Sequence, residues 1–141
     1  MSQQNLEIVR RAFAELATSF PVHEVESHLS DAALAEFFDP QVEWIPVTQS
    51  LLATGSYIGY EGVCRFWTEF LSTWDEYDIE AQEFFDHGDQ VAVVMRMRGR
   101  THNVEIDEIW SSLSSMRDGR IVRIQGFASR GGALEAAALS D

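Results

Sequence analysis

Leu6, Val9, Phe13, Leu16 and Phe20 recur at steps of three and four, the apolar stripe of an amphipathic helix that ends near Pro21. Ser30-Asp31 ahead of ALAEFF supplies N-cap chemistry for a short second helix, which Asp39-Pro40 stops; residues 22–30 before it show no clear period. A strand follows directly. Val42, Trp44 and Pro46 alternate with Glu43, Ile45 and Val47, so Glu43 and Trp44 point to opposite faces and only one looks inward. TGSYIGYEG reads as a turn-rich loop, and beyond it Val63, Phe66, Trp67, Phe70, Leu71 and Trp74 mark the most strongly periodic helix of the chain.

From Tyr77 the period changes to two. Turn signals in DHGD (86–89), RTHNV (100–104) and RDGR (117–120) divide the remainder into four strands, and GGALEAAALSD reads as a glycine break followed by a short, frayed helix. This order predicts a single domain over 1–141 of α+β class, with three helices on one side of a curved sheet.

Two-residue hairpin loops would place Tyr77 opposite Arg98, Arg98 opposite Asp107 and Asp107 opposite Arg130. One face then carries Tyr77, Ile79, Ala81, Ala92, Val94, Arg96, Arg98, Asp107, Ile109, Leu113, Ile124, Ala128 and Arg130. The other carries Met95, Met97, Trp110, Phe127, Met116 and Ile121. Both faces have a large apolar component, so each needs a cover. The helices suit the first, and a second copy of the chain is the economical cover for Met95, Met97, Trp110 and Phe127.

Composition narrows the class further. With 23 acidic against 10 basic residues the net charge is −13, which repels nucleic acid and anionic membranes. No signal-peptide pattern occurs at the N-terminus, and no apolar run nears the roughly 20 residues that span a bilayer. These features predict a cytoplasmic protein. Cys64 is the single cysteine, which excludes an intrachain disulfide, and it reads as packing. His23, His28, His87 and His102 show no HxH or HxxxH spacing, so neither a metal nor another cofactor is expected. The serines of SSLSS lack a nucleophile-elbow context and read as strand polar residues.

EIVRRAFAEL, the DPQVEW helix-to-strand junction, GYEGVCRFW, FFDHGDQVAVV and MRDGRIVRIQGF, in this order, resemble the SnoaL-like proteins of the nuclear transport factor 2-like superfamily, which includes ketosteroid isomerase. The resemblance covers nearly the whole chain. It implies a cone-shaped, curved mixed sheet packed on three helices, the architecture also called cystatin-like, with a pocket inside and a homodimer through the convex face. It does not imply one reaction, because the superfamily holds isomerases, cyclases, dehydratases, hydrolases and non-catalytic binders. The ketosteroid isomerase pattern places a tyrosine, a basic aspartate and a second acid at the positions of Phe13, Trp44 and Ile109. None of these three side chains can do that acid–base work, which favours Trp44 as an inward pocket wall with Glu43 outside.

Two readings of the inward polar group stay open. Asp107 acts as general acid or base beside Arg98 with Tyr77 orienting substrate, or Arg96, Arg98, Asp107 and Arg130 form a structural ion-pair ladder. The arginines would also receive a carboxylate on a ligand. The expected pocket is lined by Phe13, Trp44, Trp67, Val94, Arg96, Ile109, Ala128 and Arg130. Two functions follow. One is a SnoaL-like protein that binds a small apolar ligand, neutral or anionic, with or without cofactor-free catalysis. The other is a non-catalytic dimeric interaction module whose cavity is filled by its own side chains. A cavity of roughly a few hundred Å³ favours the first and a collapsed one the second.

Overall fold

A computed structural model describes residues 2–16, 31–46, 57–71, 74–102 and 104–140. Helix α1 (Ser2–Leu16) buries Val9 and Ala12, and α2 (Asp31–Phe37) runs without a break into strand β1 (Phe38–Ile45). Strand β2 (Tyr57–Ile58) leads into helix α3 (Gly59–Leu71), and β3 (Glu76–His87), β4 (Gln90–Thr101), β5 (Val104–Arg117) and β6 (Arg120–Phe127) form the meander. Helix α4 (Arg130–Ser140) closes the described chain. The expected features of residues 17–30, the loop before Tyr57, Asn103 and the side chain of Trp67 lie outside the described residues.

The sheet is mixed, in the order β2-β1-β6-β5-β4-β3, with β1 parallel to β6 and every other pair antiparallel. Pro40, which has no N–H to give a ladder, sits where the β1–β6 register shifts, and the Asp39 carboxylate accepts the Gln41 N–H at 2.8 Å across the bend. Asp118 and Gly119 both take positive φ (52° and 79°), the backbone of a tight hairpin turn. The β3–β4 turn is Gly88-Asp89, one residue later than the expected His87-Gly88, because only glycine takes its φ of 74° without strain.

The expected face map holds only in part. β4 and β5 pair as predicted, with Arg98 opposite Asp107 and Met95 opposite Trp110. Two β-bulges change which side those strands present. In β3 the register shifts between Ala81 and Glu83, so Tyr77 lies opposite Gly99, not Arg98. In β6 it shifts past Val122, so Phe127 lies opposite Ser111, not Trp110. A single extra residue exchanges the two faces of everything beyond it. Tyr77, Ile79 and Ile124 therefore keep the inner side, while β4 and β5 are inverted relative to expectation.

Met95 and Met97 are buried in the main core at 5% and 0% exposure, and Trp110 packs against that core from its edge. They cannot supply the expected dimer surface. Phe127 is on the outer side, but α4 covers it. Ala133 and Ala137 of α4 dock on Ala92 and Leu113, with Phe85 and Phe127 at the margin. The frayed terminal helix of the sequence reading is thus a docked one. The Ser129 hydroxyl accepts the Gly132 N–H at 3.1 Å as its N-cap, and the Ser111 hydroxyl bridges the Ala133 N–H (3.0 Å) and the Ser129 carbonyl (2.6 Å). Gly132 is required there, since a Cβ would stand 2.5 Å from that of Phe127. Trp74 also departs from expectation. It lies beyond α3, with its ring laid on the bare Cα of Gly99, where a Cβ would come within 2.7 Å.

Candidate functional site

Three helices close over the inner face and leave a cavity of about 100 Å³. Val9 and Phe13 of α1 form one wall, Trp44 of β1 and Phe66 of α3 another, and Met95, Trp110, Ile121 and Ile124 rise from the sheet floor. The alternation of β1 puts Trp44 on this side and sends Glu43 outward, where Arg123 Nε donates to its carboxylate at 3.1 Å. Trp44 and Phe66 pack with ring centroids 5.7 Å apart and planes tilted by 36°, and Phe13 meets Phe84 edge to face at 6.1 Å.

Polar groups in this cavity are few. Among the described lining residues there is no acid, no histidine and no arginine or lysine. Tyr77 borders it, and burial pushes its phenol pKa well up, with the nearby Asp78 charge adding to the shift; the group is neutral at any physiological pH. The remaining hydroxyls are Ser111, Ser112 and Ser114. Ser111 is held by α4, but the hydroxyls of Ser112 and Ser114 are buried without a hydrogen-bond partner among the described residues. A buried hydroxyl left in that state costs on the order of 1–3 kcal/mol. SSLSS carried the signal in its alternation: two serines look in and two look out. Its reading as plain strand polarity overlooked the inner pair.

The residues expected to act together occupy other places. Arg96, Arg98 and Asp107 stand on the outer face, half-exposed, and Ile109 beside them is 38% exposed. Val94 is buried on the same outer side, Ala128 is exposed after β6, and Arg130 opens α4 and clamps Glu83 with its guanidinium at 2.9 Å. None of these seven lines the apolar cavity, because the β3 and β6 bulges reverse their strands or end the sheet before them. Phe13 and Trp44 do line it.

Tyr77, Arg98 and Asp107 do share a second, solvent-open groove at the end of β3, β4 and β5. Its arginines are engaged: Arg98 pairs with Asp78 and Arg100 with Glu76 at 2.8 Å, while Arg96 grips Asp107 bidentately at 2.8 and 2.5 Å, and Asp75 and Glu105 add two further carboxylates to the lining. The hydrogen bonds from Arg96 hold the Asp107 carboxyl below the usual carboxylate range, which weakens it as a base. Among the described residues no group of three or more His, Cys, Asp or Glu is arranged to hold a metal ion, and no helix is long and apolar enough to cross a membrane.

A curved mixed sheet wrapped on helices around an apolar cavity is the architecture of the nuclear transport factor 2-like, ketosteroid isomerase-like class. The sequence profile of the SnoaL-like domain matches residues 22–124, and the chain belongs to that family. Its fold is similar to that of a Jannaschia sp. CCS1 protein assigned as a SnoaL-like polyketide cyclase (18% identity, 89% of this chain and 85% of that one, TM-score 0.71). It is also similar to TerC co-crystallised with polyporic acid (17%, 96% and 98%, TM-score 0.70). A third similar fold is a ketosteroid isomerase-like protein of Catenulispora acidiphila DSM 44928 in complex with trimethylamine (16%, 94% and 92%, TM-score 0.64). No curated protein matches the chain in sequence.

Proposed function

We propose that this protein binds a small, uncharged, largely apolar molecule, of about one ring in size, in the cavity between Phe13, Trp44, Phe66 and Met95. The observation that carries the reading is an apolar cavity with no described charged group in its wall. Such a cavity favours a ligand without formal charge, since an unpaired ion there would be desolvated at high cost. Two neighbours of the same fold hold small molecules, polyporic acid in one and trimethylamine in the other, in keeping with this use of the architecture.

The volume sets the size. At about 100 Å³ the space is below the range of roughly 300–1,000 Å³ usual for drug-sized ligands and below the roughly 150 Å³ of an apolar cavity that takes benzene, so a single small ring is the upper bound on the ligand. The same small volume favours the second reading, an interaction module whose interior is mostly self-filled. Binding separates them. Toluene and phenol titrated into the protein should shift its NMR signals and raise its Tm, and Met95→Trp, with Val9→Phe as a second filling variant, should abolish both effects while circular dichroism stays native. A wild type that answers neither compound up to millimolar concentration rejects the binding reading in favour of the module.

Acid–base catalysis has little to work with in this cavity. Phe13 and Trp44, which the resemblance sets at two of the acid–base positions of ketosteroid isomerase, line the cavity without an acid or a base, and Ile109 lies on the other side of the sheet. The reading is therefore one of binding, with any chemistry left to the ligand's own reactivity in a dry site.

A further inference from the structure

β5 carries four serines around Leu113, and their fates differ by face. The outward pair is engaged: Ser111 by α4, Ser115 by the Gln90 amide at 3.4 Å. The inward pair, Ser112 at 6% and Ser114 at 0% exposure, borders the cavity with both hydroxyls unpartnered among the described residues. Alanine or valine at either place would pack on the core with no polar group to satisfy. Two hydroxyls held dry at a cavity wall are poised to bind whatever enters.

Their spacing is defined by the strand. Two residues along one face of β5 put the hydroxyls about 7 Å apart, twice the strand rise of roughly 3.4 Å. Each is a donor as well as an acceptor. Ser112 stands in the row with Val93 and Gly126, which itself lines the cavity, and Ser114 stands in the row with Val91 and Ile124. Around them the walls are apolar.

We infer that Ser112 and Ser114 form the polar recognition element of the cavity, donating hydrogen bonds to a neutral ring compound that carries an acceptor oxygen, carbonyl or hydroxyl, at each of two opposite ends. This inference rests on the binding reading above and narrows it to a ligand class. Carboxylates are outside the class, because no described cation lines the cavity to neutralise them.

The test uses two neutral probes of similar size, 1,4-cyclohexanedione and toluene, titrated by ligand-observed NMR into the full chain and into Ser112→Ala, Ser114→Ala and the double variant. Each alanine should weaken dione binding by roughly two- to tenfold, as for loss of one hydrogen bond to a neutral acceptor. Toluene should bind all four proteins equally, or the variants slightly better. In the absence of probe, the double variant should melt at the wild-type temperature or above it, since it sheds two unsatisfied hydroxyls. Toluene binding with no dione preference, or dione binding that the alanines leave unchanged, overturns the inference while the binding reading stands. A double variant that melts lower with dione affinity unchanged assigns the serines a structural role and overturns it too. If neither probe binds any of the four proteins, the cavity reading and this inference fall together.

Discussion

The two faces of the β3–β6 meander come from the same strands and solve opposite problems. On the inner face Val91, Val93, Met95 and Met97 of β4 sink into the main core under three helices. On the outer face the intervening Arg96, Arg98 and Arg100 stand in ion pairs with Asp107, Asp78 and Glu76. Where the outer face is apolar, at Ala92, Leu113 and Phe127, α4 covers it. On the face that looks reactive the guanidiniums are already held in ion pairs, and the face that looks inert contains the two hydroxyls with no described partner. Under the proposed binding reading, unsatisfied burial and not charge density marks the site.

Adjacent residues give the strongest test of this contrast. Met97→Glu drives a carboxylate into the core and should remove on the order of 3–5 kcal/mol or prevent folding, whereas Arg98→Gln next to it should cost no more than about 1 kcal/mol. Urea denaturation of both variants measures the difference. Equal losses would mean that the faces of β4 are assigned the wrong way round.

Glycine substitutions sharpen the contrast at the next scale. Gly132→Ala pushes a methyl into Phe127 on the outer side, and Gly99→Ala pushes one into Trp74 at the far end of β4; each should cost roughly 1–3 kcal/mol as overpacking. Hydrogen exchange should show the first loosening α4 alone. Exchange that instead rises throughout the sheet would make α4 part of the cooperative core.

Tyr77 reports on the inner face through pH. Its folded pKa lies above the ordinary value of 10.0, so the stability it contributes is complete below pH 10 and is lost as pH rises from there toward the folded value. Over that alkaline window the wild type should lose stability more steeply than Tyr77→Phe, by up to about 1.4 kcal/mol per pH unit. Parallel alkaline denaturation curves for the two proteins would place the phenol in contact with water.

Asp107 should give the smallest effect. Its pKa is depressed by Arg96, so the contribution of the pair is present above the ordinary carboxylate value of 3.8 and is lost as pH falls through the folded value. Asp107→Asn should therefore leave the thermal melt at neutral pH nearly unchanged and flatten only the acid limb, with added salt erasing the difference. A large loss at neutral pH would show that the outer ladder is shielded from solvent in the folded protein.

Much of this molecule is local in origin. The stripes of α1 and α3, the Asp39-Pro40 junction, the Asp118-Gly119 turn and the β4–β5 pairing all follow from periods and turn residues that act within a dozen positions of one another. The five motifs that resemble the SnoaL-like family draw on the same local features, and for that reason the fold was legible from them. The sides of β4 and β5 were not. They depend on one extra residue at Gln82 and another at Val122, neither a glycine nor otherwise marked. The docking of α4 likewise required Ser111, Gly132 and Phe127 to meet across the folded sheet. Sequence determined which elements exist and in what order, because helix stripes and turns are set by near neighbours. Tertiary structure alone decided which serines face the cavity and which arginines face water, because a strand's faces are exchanged by a one-residue slip whose energy is settled only when the whole sheet curves and packs.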